Sequence, residues 1–380
     1  MSKKLTFIGD VMLGRMIGSK YANSPYEIVD KGLQAIAKNS DLTIANLESP
    51  VTTTKDPNAD HLQFVGSEES LSVLKWIDVF TLANNHINDA AEVGMDETIS
   101  LLEKNGFHHN GLFVKNENYV PYIFNADDYE IAIVMVTDMM NIPFADDNKW
   151  QCLRVGDKRV NEIIAAEKSQ GRMVIVYAHI GALFTRYPNP TTFDFLHGYV
   201  ETGADCIVTV HSHCLGGMEV YKGIPIFHSI GDFVMDGNSF RRRRSAMLTL
   251  TIEDKKIISW KLVPAEINDE LVTSLPDNKT RQKMLKSFDE VTNQIKKHTT
   301  DYGKFYKWQY KKEMMHHACS TLIYLIQKRG LKGMLRLVFM RFEEVGRMFK
   351  WMATDRSKVQ RDDDAIKANR RKFKEEDLFK

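Results

Sequence analysis

The sequence predicts an α/β fold with partly parallel sheets, followed by an α-helical extension. Three observations carry this. Six short apolar runs rich in β-branched residues lie between Leu5 and Ser212. Amphipathic stretches alternate with them, as parallel strands require, because such strands need crossover connections. Beyond about Asn268 the strand signal almost vanishes while Lys and Arg become dense, which divides the chain into 1–267 and a helical extension over 268–380.

In chain order the expected strands are "LTFIG", "LTIAN", "VFTLA", "YEIAIVMVT", "MVIVYAH" and "CIVTVHS", each bounded by Gly, Asn or Asp. The helices between them announce their ends. "GMDETISLLEKNG" stops at Asn105-Gly106 and "DKRVNEIIAAEKSQG" stops at Gly171. "TTFDFLHGYVETG" opens on threonines able to cap it and stops at Gly203. "SAMLTLTIEDKKIISWKLVPAEI" reads as a hairpin turning near Asp254-Lys255. Two amphipathic helices are readable in the extension. One runs from about Glu313 to Arg329 and stops at Gly330; the other carries Leu331, Met334, Leu335, Val338, Phe342, Val345, Phe349 and Met352 on one stripe. The final "RDDDAIKANRRKFKEEDLFK" mixes both charges, the pattern of a solvated end.

Composition narrows the function. The chain has 380 residues, 51 basic and 50 acidic, so the overall charge gives no reason to expect a nucleic-acid partner. Its 4 cysteines form no CxxC pair and no disulfide framework. The opening "MSKKLTFIGD" lacks the apolar stretch of a signal peptide, and no run approaches the roughly 20 apolar residues of a membrane span. The expected location is the cytoplasm.

The chemistry sits where strands end. Asp10 follows the first strand, Asn46 and Glu48 the second, and Asn84, Asn85, His86 and Asp89 the third. His179 closes "YAH", and "CIVTVHSHCLGG" ends in His211 and His213, which strand alternation would point the same way. Ligands of open α/β sheets bind beyond the carboxyl ends of strands, so these groups converge if the strands share a sheet. Taken singly, Asp10 reads as a turn or cap residue, Asn85 as an Asx-turn and His86 as a core histidine satisfied by Asp89. Taken in order, two carboxylates, an amide oxygen and three imidazoles make a donor set suited to two first-row divalent cations, with Mn, Zn or Fe ahead of Mg. Glu48 is the expected bridge between them. His86 beside Asp89 suits a general acid, since a carboxylate favours the imidazolium. His228 follows another strand, in position to orient a ligand or substrate.

The blocks "GDVMLGR", "ANLESPVT", "ANNHINDAAEVGMDET", "AHIG" and "GADCIVTVHSHCLGGMEVYKGIPIFHSIGDFV" resemble those of the CapA family, in order, from about Lys3 to Ile267. CapA proteins are capsule and poly-γ-glutamate synthesis members of the calcineurin-like metallophosphoesterase superfamily. The resemblance implies a four-layer α-β-β-α sandwich with the helical appendage behind it. It also implies that Asp10, Glu48, Asn85, His179, His211 and His213 are metal ligands, with Glu48 bridging and His86 protonating a leaving group. Three positions depart from the superfamily pattern. Met12 stands where a histidine is usual, leaving one ion a ligand short; Ile180 replaces an aromatic; and His-Ser-His replaces His-Pro-His.

Function follows as an expectation: a metal-dependent hydrolase of capsule or surface-polymer synthesis, cleaving a phosphoester or an amide. The alternative is a non-catalytic assembly factor, partner of a polymer synthase, that keeps the same fold. The substrate expected in either case is an anionic polymer or phosphoester. Arg241 and Arg244, the ends of "RRRR", and Asn46 are candidate contacts to it, although four neighbouring arginines cannot all face one site. Residues 313–352, apolar on one stripe and basic beside it, suit packing or a peripheral membrane contact.

Overall fold

A computed structural model describes residues 1–53, 63–138, 140–142, 144–237 and 239–340. The chain opens with β1 (Lys3–Val11), α1 (Arg15–Asn23), α2 (Lys31–Lys38) and β2 (Leu42–Leu47). A 3-10 segment at Glu68–Leu74 leads to β3 (Val79–Thr81), α3 (Ala91–Lys104), β4 (His108–Asn110) and β5 (Leu112–Val114). Then come β6 (Tyr122–Asn125), β7 (Glu130–Thr137), β8 (Trp150–Cys152), α4 (Lys158–Ser169), β9 (Met173–His179) and α5 (Pro190–Thr202). Six strands follow: β10 (Cys206–Val210), β11 (Met218–Tyr221), β12 (Ile224–Phe227), β13 (Asp232–Val234), β14 (Arg244–Glu253) and β15 (Lys256–Ile267). The chain continues through β16 (Thr273–Ser274), α6 (Asn278–Lys297) and α7 (Tyr302–Met340).

Two mixed sheets carry the architecture. The first runs β16-β15-β14-β1-β2-β3-β4, with β13 also paired to β1; the second runs β11-β12-β10-β9-β7-β6. β1 through β4 are parallel, as are β7, β9, β10 and β12. The parallel strands are apolar on both faces because both faces are covered: every residue of β9 and β10 is buried. One core lies between the sheets, where Phe7 and Ile44 of the first meet Ile133, Tyr177 and Val208 of the second. A second core packs α2 and α3 on the first sheet through Leu33, Met95 and Leu102; a third packs α4 and α5 on the second through Val160, Ile164 and Leu196.

Local chemistry sets the ends of the elements. Asp30, Asp157 and Asp277 cap α2, α4 and α6 through their side-chain oxygens. The start of α5 differs from the sequence expectation, because Asn189 is the cap and Pro190 occupies the first turn, ahead of the threonines. The β14–β15 hairpin does turn at Asp254 and Lys255, with φ of 48° and 62°, the left-handed pair that matches strand twist.

The extension holds a helix the pattern did not reveal. α6 places Met284, Phe288, Val291 and Ile295 on one stripe; Met284 and Phe288 enter the core between the sheets. Val291 and Ile295 join Phe193, Tyr302, Phe305 and Tyr306 in a cluster that holds α7. α7 begins at Tyr302, earlier than its apolar pattern suggests, and breaks at Gly330, where φ is 67°. Phe342, Val345, Phe349, Met352 and the charged end lie outside the described residues. Among the described residues, no helix is long and apolar enough to cross a membrane.

Candidate metal centre

The carboxyl ends of β1, β2, β3, β9 and β10 deliver the sequence-selected residues to one buried hollow. Asp10 is the register partner of Asn46 on β2 and of Asp232 on β13. The ligand atoms of Glu48, His179 and His211 lie within 4.8 Å of one another, and so do those of Asp10, Glu48, His213 and Asp232. Glu48 belongs to both groups.

Hydrogen bonds tie the two groups together. Asn46 donates its amide to Asp10 Oδ1 at 2.7 Å and lies 3.0 Å from His179 Nδ1. His179 Nε2 is 2.6 Å from Asn85 Oδ1, 2.8 Å from His211 Nδ1 and 3.5 Å from Glu48 Oε1. His213 Nδ1 is 2.6 Å from Asp232 Oδ1 and 3.8 Å from Asp10 Oδ2. The backbone N–H of His211 donates to Asp10 Oδ2 at 3.2 Å.

The two histidines of "HSH" converge for a reason that strand alternation does not supply. β10 ends at Val210, and both residues lie beyond it with φ of 95° and 57°. Left-handed backbone at a non-glycine residue costs on the order of 1–3 kcal/mol, and here it turns both imidazoles toward the acids.

This hollow is expensive to bury without cations. Among the described residues, both carboxylate oxygens of Glu48 and Oδ2 of Asp232 are buried without a hydrogen-bond partner. Burial, together with the charges of Asp10 and Asp232, pushes the Glu48 carboxyl well above its ordinary range. Burial also pushes Asp10 up, but the hydrogen bond and charge of His179, the charge of His213 and the Asn46 amide leave it below its ordinary value. Burial lowers His179 against the pull of Asp10. Unpartnered carboxylate oxygens beside imidazole nitrogens are a nitrogen-and-oxygen set that fits first-row divalent ions. Asp232 supplies a donor that Met12 cannot, since the Met12 side chain is buried in the apolar core on the helix side of the first sheet.

His86 stands beside this set and outside both ligand groups. Its Nδ1 is 2.6 Å from Asp89 Oδ2, and Asn141 Nδ2 lies 2.9 Å from its Nε2. Its ring stacks on Phe64 at 3.7 Å, and the Phe64 N–H donates to Asp89 at 2.7 Å. Asn84 braces this loop by donating to the Leu47 carbonyl at 2.7 Å.

Four candidate contacts take other places. Asn46 is fully buried and committed to Asp10 and His179, so it fixes the orientation of those two side chains. His228 Nε2 donates to Glu219 at 3.1 Å, the carboxylate that also accepts from His197. Arg241 pairs with Glu313 at 2.9 Å and Arg244 with Glu266 at 3.0 Å, carboxylates that belong to neither ligand group. The arginine of the run that reaches the hollow is Arg242, with Nε 3.6 Å from Asp232 Oδ2. Asp232 and Arg242 escaped the sequence reading. "SIGDFV" does carry a legible signal for Asp232, an acid just after a glycine that closes an apolar run.

The chain resembles capsule and PGA biosynthesis proteins over most of its length. It is 27% identical over 289 residues to the PGA biosynthesis protein CapA of Bacillus subtilis (strain 168), covering 74% of this chain and 76% of that one. It is 28% identical over 282 residues to the capsule biosynthesis protein CapA of Bacillus anthracis, covering 70% and 67%. Among solved structures, the Thermus thermophilus sulfate thiohydrolase SoxB aligns over 78% of this chain and 60% of that one, with a TM-score of 0.41 and 12% identity. The bacterial capsule synthesis protein PGA_cap family matches residues 4–237, and this chain belongs to that family.

Proposed function

We propose that this chain is a metal-dependent hydrolase of capsule or surface-polymer synthesis, built as a four-layer metallophosphoesterase-like sandwich and acting on a phosphoester or amide of an anionic polymer. The observation that carries the reading is Glu48, shared by two candidate ligand groups with both oxygens buried and, among the described residues, without a hydrogen-bond partner.

Glu48, His179, His211 and Asn85 would hold one divalent ion; Asp10, Glu48, His213 and Asp232 would hold the other. Such ions polarise a substrate oxygen and make water a nucleophile near neutral pH. The chain's own residues do the rest. Asp89 fixes the His86 ring through Nδ1, and Asn141 lies at Nε2, the nitrogen that would give a leaving group its proton once substrate displaces the amide. Asn46 keeps Asp10 and His179 in register. Phe64 closes the far face of His86 and excludes water from it. The expected location is cytoplasmic, with a peripheral membrane or synthase contact through 313–352.

The test is a screen of generic phosphoesters with added Mn²⁺, Zn²⁺ or Mg²⁺, run beside a His211→Ala variant. Metal-dependent turnover in the wild type and its loss in the variant are expected. Equal turnover in both proteins, or none in either, would contradict hydrolysis and favour an assembly role.

A further inference from the structure

Two aromatic rings flank the hollow, Phe64 beside His86 and Phe184 beside His213, and each carries an arginine. On one side Arg15 lies over Phe64 at 4.5 Å, the same ring that stacks on His86. Arg15 is held there by Asp236, which it grips with two nitrogens. On the other side Arg242 lies over Phe184 at 5.3 Å. Phe184 is tied to the histidine loop, donating its N–H to the Ser212 carbonyl at 2.8 Å.

Phe184 also links the centre to the helical extension. One face stacks on His317 of α7 at 4.1 Å with the rings 4° from parallel; His213 lies 6.0 Å from the same ring. His317 is 6% exposed, and its Nδ1 has no hydrogen-bond partner among the described residues. Arg242 Nε is buried and equally without one, since Asp232 at 3.6 Å is beyond hydrogen-bond range. Buried donors left unmatched at the rim of a carboxylate cluster are what a bound anion would satisfy. Burial, with Arg242 and Arg241 next, lowers the His317 imidazole to about 3, so it enters as a neutral ring able to donate one N–H.

We infer that Arg242 and His317 form an oxyanion-binding mouth over the metal centre, so that α7 of the C-terminal extension supplies a substrate-binding residue. Its ligand is an anionic oxygen group, carboxylate or phosphate, seated against Phe184. Both residues lie beyond residue 237, where the family match ends. The inference rests on the proposed function for the identity of the site, but the binding itself does not require turnover.

The experiment is calorimetric titration of the full-length protein with inorganic phosphate and, separately, glutarate, before and after metal loading, with metal content measured on the same samples. Arg242→Gln and His317→Gln should each weaken binding about tenfold or more, the effect of losing a hydrogen bond to a charged group, with metal content and melting temperature unchanged. Arg242→Lys should recover part of the loss, because it restores charge without the fork. The stronger of the two probes identifies the substrate group. Wild-type affinity in both glutamine variants, or no binding of either anion by the wild type, overturns the mouth. Binding that depends on Arg242 and His317 in a protein that takes up no metal supports the mouth while removing the metal reading.

Discussion

Asp10 and Asp232 are register partners on adjacent parallel strands, β1 and β13, and both are completely buried. Two carboxylates placed side by side, with Glu48 making a third, repel one another and lack solvent. A divalent ion removes that conflict. Asp232→Asn, which removes one of these carboxylate donors, should therefore lower metal affinity by at least about tenfold. Metal titration of the variant checks this; wild-type affinity would deny Asp232 a place at the ion.

His86 should be separable from metal binding. Because it belongs to neither ligand group, His86→Gln should keep its metals and lose about 10²–10⁴-fold in kcat. The loss should be largest on substrates with poor leaving groups, which need the proton most. A variant equally slow on nitrophenyl and alkyl esters would deny His86 the acid role.

How much of this was legible depends on what each residue does with its side chain. β9 and β10 were plain because a strand covered on both faces must be apolar throughout. Glu48 was legible as a candidate ligand from its position just past a buried strand, and its carboxylate belongs to both candidate groups. Asp232 follows a glycine that closes an apolar run, a signal easily passed over because its strand, β13, has only three residues. The arginine run misled because one turn aims neighbours in different directions: Arg241 to Glu313, Arg242 to Asp232, Arg243 to the Asn268 carbonyl and Asp269, Arg244 to Glu266. Charge alone does not reveal which of four points inward.

α6 was hidden by its polarity, since four buried apolar residues in twenty leave a faint stripe. Its contribution is nonetheless large. Phe288 is 5% exposed in the core between the sheets, so Phe288→Ala should destabilise the protein by about 3–5 kcal/mol in urea unfolding. A change under about 1 kcal/mol would mean that α6 is not docked in solution.

Glu219 sets part of the acid limb of stability. Burial opposes its ionisation, but hydrogen bonds from His197 and His228 outweigh this and hold the carboxyl down to about 2, against an ordinary 4.5. An acid with a depressed folded pKa stabilises the fold above its unfolded value and loses that contribution as pH falls through the folded one. Stability should therefore drop between about pH 4.5 and 2, by on the order of 1–3 kcal/mol from this residue. Glu219→Gln should flatten that part of the melting-temperature profile; an unchanged slope would show that the pairing is not made.

The central claim is that Glu48 joins two cations in one hollow. Anomalous diffraction from crystals soaked in Mn²⁺ tests it directly. Two peaks about 3.5–4 Å apart, with Glu48 between them, are the predicted result. Manganese that binds elsewhere, or that leaves Glu48 without an ion, would contradict the account.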